Sequence, residues 1–188
     1  MKKIDGMLLA SFLTTIFYSA TYPYIHKEVM YVATDTFIAI NQIINCFSVV
    51  VFGSLWNRKS IKLFKYYPVF CVLETLLGIM TTVFTIVTGD ILSYYLLDTV
   101  VFAVVTRNII CGGVKLKAIR YNSEEKREHF DNNNNSAYSL ATIIGSIVAI
   151  FLKLDFTTML CIATFGNMID NVFYIFIFLK TEKCRKIM

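Results

Sequence analysis

The chain has 188 residues, of which 56% are hydrophobic and only 16% are charged. With a mean hydropathy of +0.61, it has too few polar side chains to cover a soluble domain of this length. The composition also excludes disordered, collagen-like and disulfide-rich secreted chains. The net charge of +5 fits attraction to anionic lipid headgroups, so we expect membrane lipid and no nucleic acid as a partner.

Six apolar segments are each long enough to cross a bilayer as a helix, which takes roughly 20 residues. They lie at about 7–25, 34–56, 67–88, 91–113, 136–154 and 156–179. Hydrocarbon admits only helices and closed barrels, and these segments lack the alternation of barrel strands. The sequence therefore predicts an all-α membrane protein, with residues 1–188 forming a single domain of six transmembrane helices.

The Lys and Arg residues predict the orientation of this bundle. Fifteen of the 18 fall in the N-terminus, the second and fourth connections and the C-terminal tail. The opposite side receives only Lys27 and Lys153, and Arg107 lies within a helix. Because positive charge stays in the cytoplasm, we expect a multi-pass protein of the cell membrane with both termini cytoplasmic. The first helix starts like a signal peptide but lacks a small-residue cleavage site, so we expect it to be retained.

The end of the second predicted helix carries a recognisable motif, Gly-Ser-Leu-Trp-Asn-Arg-Lys-Ser-Ile-Lys, at residues 53–62. It resembles the signature loop of the major facilitator superfamily, Gly-x-Leu-x-Asp-Arg-x-Gly-Arg-Lys, which lies between helices two and three of that family. The positions that match are Gly53, Leu55, Arg58 and Lys62. The positions that differ are Asn57 for the Asp, Ser60 for the second Gly and Ile61 for the first basic residue.

This resemblance extends over nearly the whole chain, as one six-helix half of a twelve-helix transporter. Arg107 and Gly145 resemble the family's helix-four Arg and its glycine-bearing helix five. The halves of such transporters are parallel repeats, which a two-fold homodimer can imitate. The resemblance thus implies a parallel homodimer, with a heterodimer of two similar halves as the alternative.

The same resemblance implies a gate and a substrate site. Gly53, Asn57 and Arg58 would form the gating loop, with Arg58 of one copy reaching Asp131 at the start of helix five in the other. In the family, helices one and four line the cavity. We therefore expect Thr14, Arg107 and Asn108 to contact substrate, with Arg107 attracting an anionic group.

Ionisable side chains within hydrocarbon are costly, and a functional role is the first interpretation of them. Glu74 and Arg107 both lie roughly 10 Å from the same membrane face at about 1.5 Å per residue, so they can pair. Such a pair either fixes helix packing or leaves Arg107 for the substrate. Asp170 lies near the middle of helix six, where burial favours a neutral carboxyl. We assign proton coupling to Asp170 and Glu74, the alternative for Asp170 being a structural hydrogen bond to Asn167 or Asn171.

Amides and capping groups are the remaining polar features. Asn41 and Asn45 share a face of helix two, where amides bond either between helices, including across a dimer, or to substrate. Residues 131–135, Asp-Asn-Asn-Asn-Asn, precede the fifth predicted helix. We expect them either to cap that helix or to form a flexible linker.

The cysteines and histidines do not have the spacing of a metal site or a nucleophilic site, so we expect no metal, no cofactor and no enzymatic activity. The sequence thus predicts secondary active transport of a small organic molecule, by alternating access in a dimer. Two alternatives remain open. One is a substrate-binding subunit of an uptake system, and the other is an immunity or assembly factor that does not transport alone.

Overall fold

A computed structural model describes residues 5–152, 154–181 and Cys184. These residues form six helices: α1 Gly6–Val32, α2 Asp35–Phe64, α3 Tyr67–Thr88, α4 Ile91–Arg120, α5 Glu124–Leu152 and α6 Phe156–Lys180. All but α1 are long and apolar enough to cross a membrane. That agrees with a multi-pass helical bundle. For α1, which carries many Ser and Thr hydroxyls, the predicted span stays a prediction.

Side-chain caps explain where three of the helices begin. Asp5, Asp90 and Asp155 each accept a hydrogen bond from a backbone N–H in the first turn of α1, α4 and α6. These caps satisfy groups that a helix start leaves without a partner. At the other end of α3, Gly89 adopts a left-handed conformation with φ of 66°, which a residue without Cβ reaches at little cost.

Four segments that the sequence predicted as connections are helical, namely 26–32, 57–64, 114–120 and 124–135. Helix α2 continues to Phe64 through most of the motif at 53–62 and is broken only at Lys59, where φ is −126° and ψ is 25°. Helix α5 begins at Glu124, so residues 131–135 lie inside it. The prediction that residues 131–135 form a cap or a flexible linker is therefore wrong. The helix start at Glu124 adds more than two turns before the apolar segment.

Helix α4 is irregular in its middle. Residues Phe102–Thr106 form a π-helical turn between the α-helical stretches Ile91–Val101 and Arg107–Arg120. A π-turn wraps one extra residue into the helix and rotates the side chains that follow it. Such turns recur at functional sites, and this one faces Glu74 of α3.

One end of the bundle is closed by a packed apolar cluster, and we call it the closed end. It joins α1, α2, α3, α4 and α6 through Met7, Phe64, Tyr67, Leu116 and Phe178. The side chains of Phe64, Tyr67, Leu116 and Phe178 are fully buried, and the Phe64 and Phe178 rings pack edge-on at 5.1 Å. Close packing of large side chains makes this end of the bundle a rigid plug.

Polar contacts reinforce the closed end. Asp5, the cap of α1, accepts a hydrogen bond from the Tyr121 hydroxyl at 2.7 Å and pairs with Arg120 at 3.4 Å. Lys117 of α4 pairs with Asp131 of α5 at 2.7 Å. Burial raises the pKa of Tyr121, and the hydrogen bond to Asp5 raises it further. These bonds tie the start of α1 and the body of α5 to the end of α4.

The opposite end of the bundle, which we call the cavity end, has a smaller apolar cluster. Ile25 of α1 packs there with Met159 and Leu160 of α6. Tyr94 of α4 lies against the same cluster, and the Tyr24 hydroxyl reaches the Ala149 carbonyl of α5 at 3.4 Å. The second half of α1 and the first half of α6 thus meet at this end, where the packing is looser than at the closed end.

Candidate functional site

A cavity of about 480 Å³ lies between the helices at the cavity end, and both polar and apolar side chains line it. Its volume falls in the range of roughly 300–1,000 Å³ found for small-molecule sites. Helices α1, α2, α3, α4 and α6 all contribute side chains to its wall. The polar members of that wall are Thr14, Tyr18, Thr21, Tyr22, His26, Asn41, Asn45, Glu74, Thr75, Tyr94, Tyr95, Asp98, Thr99, Thr106, Thr164 and Asn167.

Glu74 is the best-anchored acidic group in the wall. One of its carboxylate oxygens accepts a hydrogen bond from the Thr106 hydroxyl, within the π-turn of α4. The other accepts from the Asn171 amide at 2.7 Å, and that amide also donates to the Thr75 hydroxyl at 3.1 Å. Asn171 is 1% exposed. Glu74 thus joins α3 to α4 and α6 at the floor of the cavity.

The ion pair suggested by the depths of Glu74 and Arg107 is not formed. The ion pairs within the described part of the chain are Lys117 with Asp131 and Arg120 with Asp5. The Arg107 guanidinium instead lies over the Phe102 ring, 5.5 Å from its centre, and its buried Nε has no partner among the described residues. The π-turn supplies the reason, because Thr106 takes the position beside Glu74 and Arg107 follows it on another face.

The predicted substrate contacts divide between the cavity and the packed interior. Thr14 lines the cavity, as expected for helix one. Asn108 is 3% exposed and accepts a hydrogen bond from the Trp56 indole at 2.8 Å, so it joins α4 to α2. Neither Asn108 nor Arg107 belongs to the cavity wall. Their contact with substrate stays a prediction.

Only one of the two residues predicted to couple protons lines the cavity. Glu74 reaches the cavity, whereas Asp170 is half-buried in α6 and lies outside the wall. Asn167, one turn before Asp170, does line the cavity, and Asn171 faces α3. The polar face of α6 therefore packs inside the bundle against α1 and α3. The sequence alone does not identify the helices that this face contacts.

The gating residues lie at the closed end. Asn57 and Arg58 are exposed, and Gly53 is half-buried in α2. Asp131 pairs with Lys117 of its own chain, so Arg58 of a second copy would have to compete with that bond. Ser60, which replaces the family's second Gly, accepts a hydrogen bond from Lys115 at 2.8 Å. The motif segment is thus linked to the end of α4.

The wall of the cavity includes groups outside the predicted site. Asp98 is not among the predicted site residues, but it lies on the wall together with Glu74. The Tyr18 and Tyr22 rings stack at 4.5 Å along α1, and Tyr94 and Tyr95 approach from α4. An i, i+4 pair of tyrosines within a Ser- and Thr-rich helix is the sequence signal that predicts such a surface. Among the described residues, no group of His, Cys, Asp and Glu is arranged to hold a metal ion.

The chain matches no protein-family model, no curated protein and no solved structure with significance. The resemblance to the major facilitator superfamily consequently rests on sequence alone, on the motif residues at 53–62, which lie in the last turns of α2, and on Arg107 and Gly145. The structure by itself shows an all-helical bundle in which five helices could span a membrane. That arrangement is consistent with a multi-pass membrane protein.

Proposed function

We propose that this protein is a half-size secondary transporter that moves a small organic molecule across the membrane. The observation that carries the proposal is the unequal packing of the bundle. A cavity with acidic, amide and hydroxyl groups in its wall occupies the cavity end, and fully buried aromatic side chains fill the closed end. A site reached from one side and sealed from the other is the arrangement that alternating access requires.

A parallel dimer completes this proposal. Only 11% of the most apolar stretch of α2 is buried, the lowest share among the five candidate spans. The same helix brings Asn41 and Asn45 to the cavity wall, where Asn45 donates to Asn41 at 2.9 Å and its own buried Oδ1 has no partner among the described residues. A second copy or a similar half packed beside α2 would cover its apolar surface and enclose the cavity.

The first test is the stoichiometry of the purified protein, measured by native mass spectrometry after release from lipid nanodiscs. A stable dimer supports a self-sufficient transporter. A monomer contradicts the dimer and favours the alternative of an accessory, binding or immunity subunit that works with another protein. The exposed surface of α2 is the observation that keeps this alternative open.

The second test lets the transport assay itself identify the substrate. Proteoliposomes are loaded with a small-molecule extract of cells, a pH gradient is imposed, and mass spectrometry identifies compounds lost relative to protein-free liposomes. We expect loss of at least one compound, and Gly78→Phe should abolish it. Gly78 lines the cavity, and no neighbouring atom lies within 4 Å of the position that a Cβ would take, so the ring would fill the cavity itself.

The matched control is Val83→Phe on the same helix, where the side chain is 53% exposed and outside the cavity wall. This variant should transport as the unchanged protein does. Equal loss of transport in both variants would point to general damage of α3. No compound lost by the unchanged protein would overturn the proposal.

A further inference from the structure

The cavity wall is richer in acidic than in basic side chains, since His26 is the one basic group among its described residues. Glu74 and Asp98 both reach the cavity, and no Lys or Arg is among its described lining residues. Neither carboxylate belongs to an ion pair within the described ranges. Acidic groups inside a membrane protein are expensive unless something of opposite charge compensates them. His26 can offset at most one of the two carboxylates, so the remaining positive charge must come from protons or from a ligand.

The geometry of Glu74 prepares it to meet a ligand. Hydrogen bonds from Thr106 and Asn171 hold the carboxylate from two sides, so its position does not depend on an occupant of the cavity. Because these donors come from α4 and α6, a ligand bound to Glu74 would also act on both helices through these hydrogen bonds. A preorganised charge binds at a lower cost than one that must first be ordered.

Aromatic rings form the second part of the wall. Tyr18 and Tyr22 stack along α1, and Tyr94 and Tyr95 face the cavity from α4. Tyrosine rings offer an apolar surface with a negative face, which attracts organic cations. Carboxylates beside such rings suit a ligand with a positive centre and an apolar body. They are poorly suited to an anion.

We propose that the cavity binds organic cations, with the positive centre attracted by the carboxylates of Glu74 and Asp98 and the apolar body against the tyrosines. This inference rests on the proposed transport function and deepens it by naming its substrate class. It replaces the expectation of an anionic substrate, since Arg107 is not among the wall residues and its guanidinium is held over the ring of Phe102, which is one. A bound cation would neutralise carboxylates that form no ion pair with a described side chain.

The test is equilibrium binding of radiolabelled tetraphenylphosphonium to the purified protein in nanodiscs, with protein-free nanodiscs as the background. We expect saturable binding that unlabelled tetraphenylphosphonium displaces and the neutral compound triphenylphosphine oxide does not. Glu74→Gln and Asp98→Asn should each weaken binding at least about tenfold, the scale of one lost desolvated charge interaction. Thermal melting of each variant shows whether it is folded.

Asp155→Asn is the matched control, because it removes a carboxylate at the same end of the bundle but outside the cavity wall. Asn caps a helix about as well as Asp, so α6 should be unaffected and binding unchanged. Absent binding, or equal displacement by the neutral compound, overturns the inference. If both Glu74→Gln and Asp98→Asn melt early, the comparison of charged and neutral competitors on the unchanged protein still decides.

The binding assay and the proteoliposome assay test cation binding and transport separately. Cation binding without transport in proteoliposomes would uphold the inference and overturn the transporter. Transport of a neutral or anionic compound without cation binding would uphold the transporter and overturn the inference.

Discussion

At the scale of single residues, the closed end depends on contacts that leave no spare space. A Cβ on Gly112 would lie 2.1 Å from the ring of Tyr67, which is fully buried beside Phe64 and Phe178. The ring cannot move aside, because its neighbours occupy the surrounding space. Gly113, the next residue, meets only the Tyr67 hydroxyl at 3.7 Å, an ordinary contact. Two adjacent glycines of α4 thus have different packing requirements.

We therefore expect Gly112→Ala to lower the free energy of unfolding by about 1–3 kcal/mol, the usual cost of overpacking. Gly113→Ala should be neutral or slightly stabilising, because Ala favours a helix over Gly by roughly 1 kcal/mol. Thermal melting of both variants in the same detergent tests the difference. Equal melting temperatures would show that the Tyr67 ring can shift.

Polar residues show how the surroundings decide a role that the residue type leaves open. Glu74 and Arg107 have the right depths for an ion pair, yet Glu74 bonds to Thr106 and Asn171. Asn108 is expected at the substrate, but it accepts the Trp56 indole hydrogen bond. Sequence separation predicts depth along a helix. It does not predict which face a residue takes after an irregular turn such as the one in α4.

At the scale of helices, α1 is the element that packs most closely on α5 and α6. Gly145 of α5 and Gly166 of α6 let their helices approach it closely. A Cβ on Gly145 would lie 2.6 Å from the Ile16 carbonyl oxygen, and one on Gly166 would lie 2.6 Å from the Phe17 Cβ. Small residues at membrane helix contacts allow such approach, and association there depends on close packing. Helix α1 is thus held between α5 and α6.

This close approach predicts that Gly145→Ala separates α1 from α5. The nearest atom is backbone, which cannot rotate away, so we expect a loss of stability of about 1–3 kcal/mol. The control is Gly53→Ala, since a Cβ there meets nothing within 4 Å. Chemical denaturation in micelles compares the two variants. A Gly145→Ala protein as stable as Gly53→Ala would contradict the close packing of α1 and α5.

At the scale of the whole molecule, the two ends of the bundle differ in charge as well as in packing. The closed end carries the ion pairs of Lys117 with Asp131 and Arg120 with Asp5. The cavity end carries the helix-capping carboxylates Asp90 and Asp155. Hydrogen bonds from Ser93 lower the pKa of Asp90, and those from Thr158 lower the pKa of Asp155, so both caps are charged at neutral pH. This asymmetry follows the distribution of Lys and Arg that predicts the orientation.

The orientation gives a prediction that is independent of any ligand. In a cysteine-free background, Asp35→Cys at the cavity end should react with a membrane-impermeant maleimide on intact cells. Asn122→Cys at the closed end should react only after the membrane is permeabilised. Both positions are exposed in the structure, so access depends on the side of the membrane and not on burial. The reverse labelling pattern would place the closed end outside the cell.

The positions of the helices were largely predictable from the sequence, because long apolar segments between short polar connections have few other solutions in a membrane. The bounds of α3 coincide with the prediction, 67–88. The largest errors fall on α2 and α5, whose polar ends are held in helical form by contacts such as Lys115 with Ser60 and Lys117 with Asp131. Those contacts are made with another helix, so they cannot be read from the sequence next to each segment.

The sequence by itself determined an all-helical fold with helices long and apolar enough to cross a membrane, because composition and the lengths of apolar segments decide how backbone groups are satisfied in hydrocarbon. Only the tertiary structure decided which polar residues share a cavity. Glu74 and Asp98 line one wall while Arg107 and Asp170 lie outside it, and that division depends on helix rotation and on the π-turn of α4. The rotation of each helix about its axis is set by packing between segments that are distant in sequence. The sequence alone therefore does not show which charged side chains face the cavity.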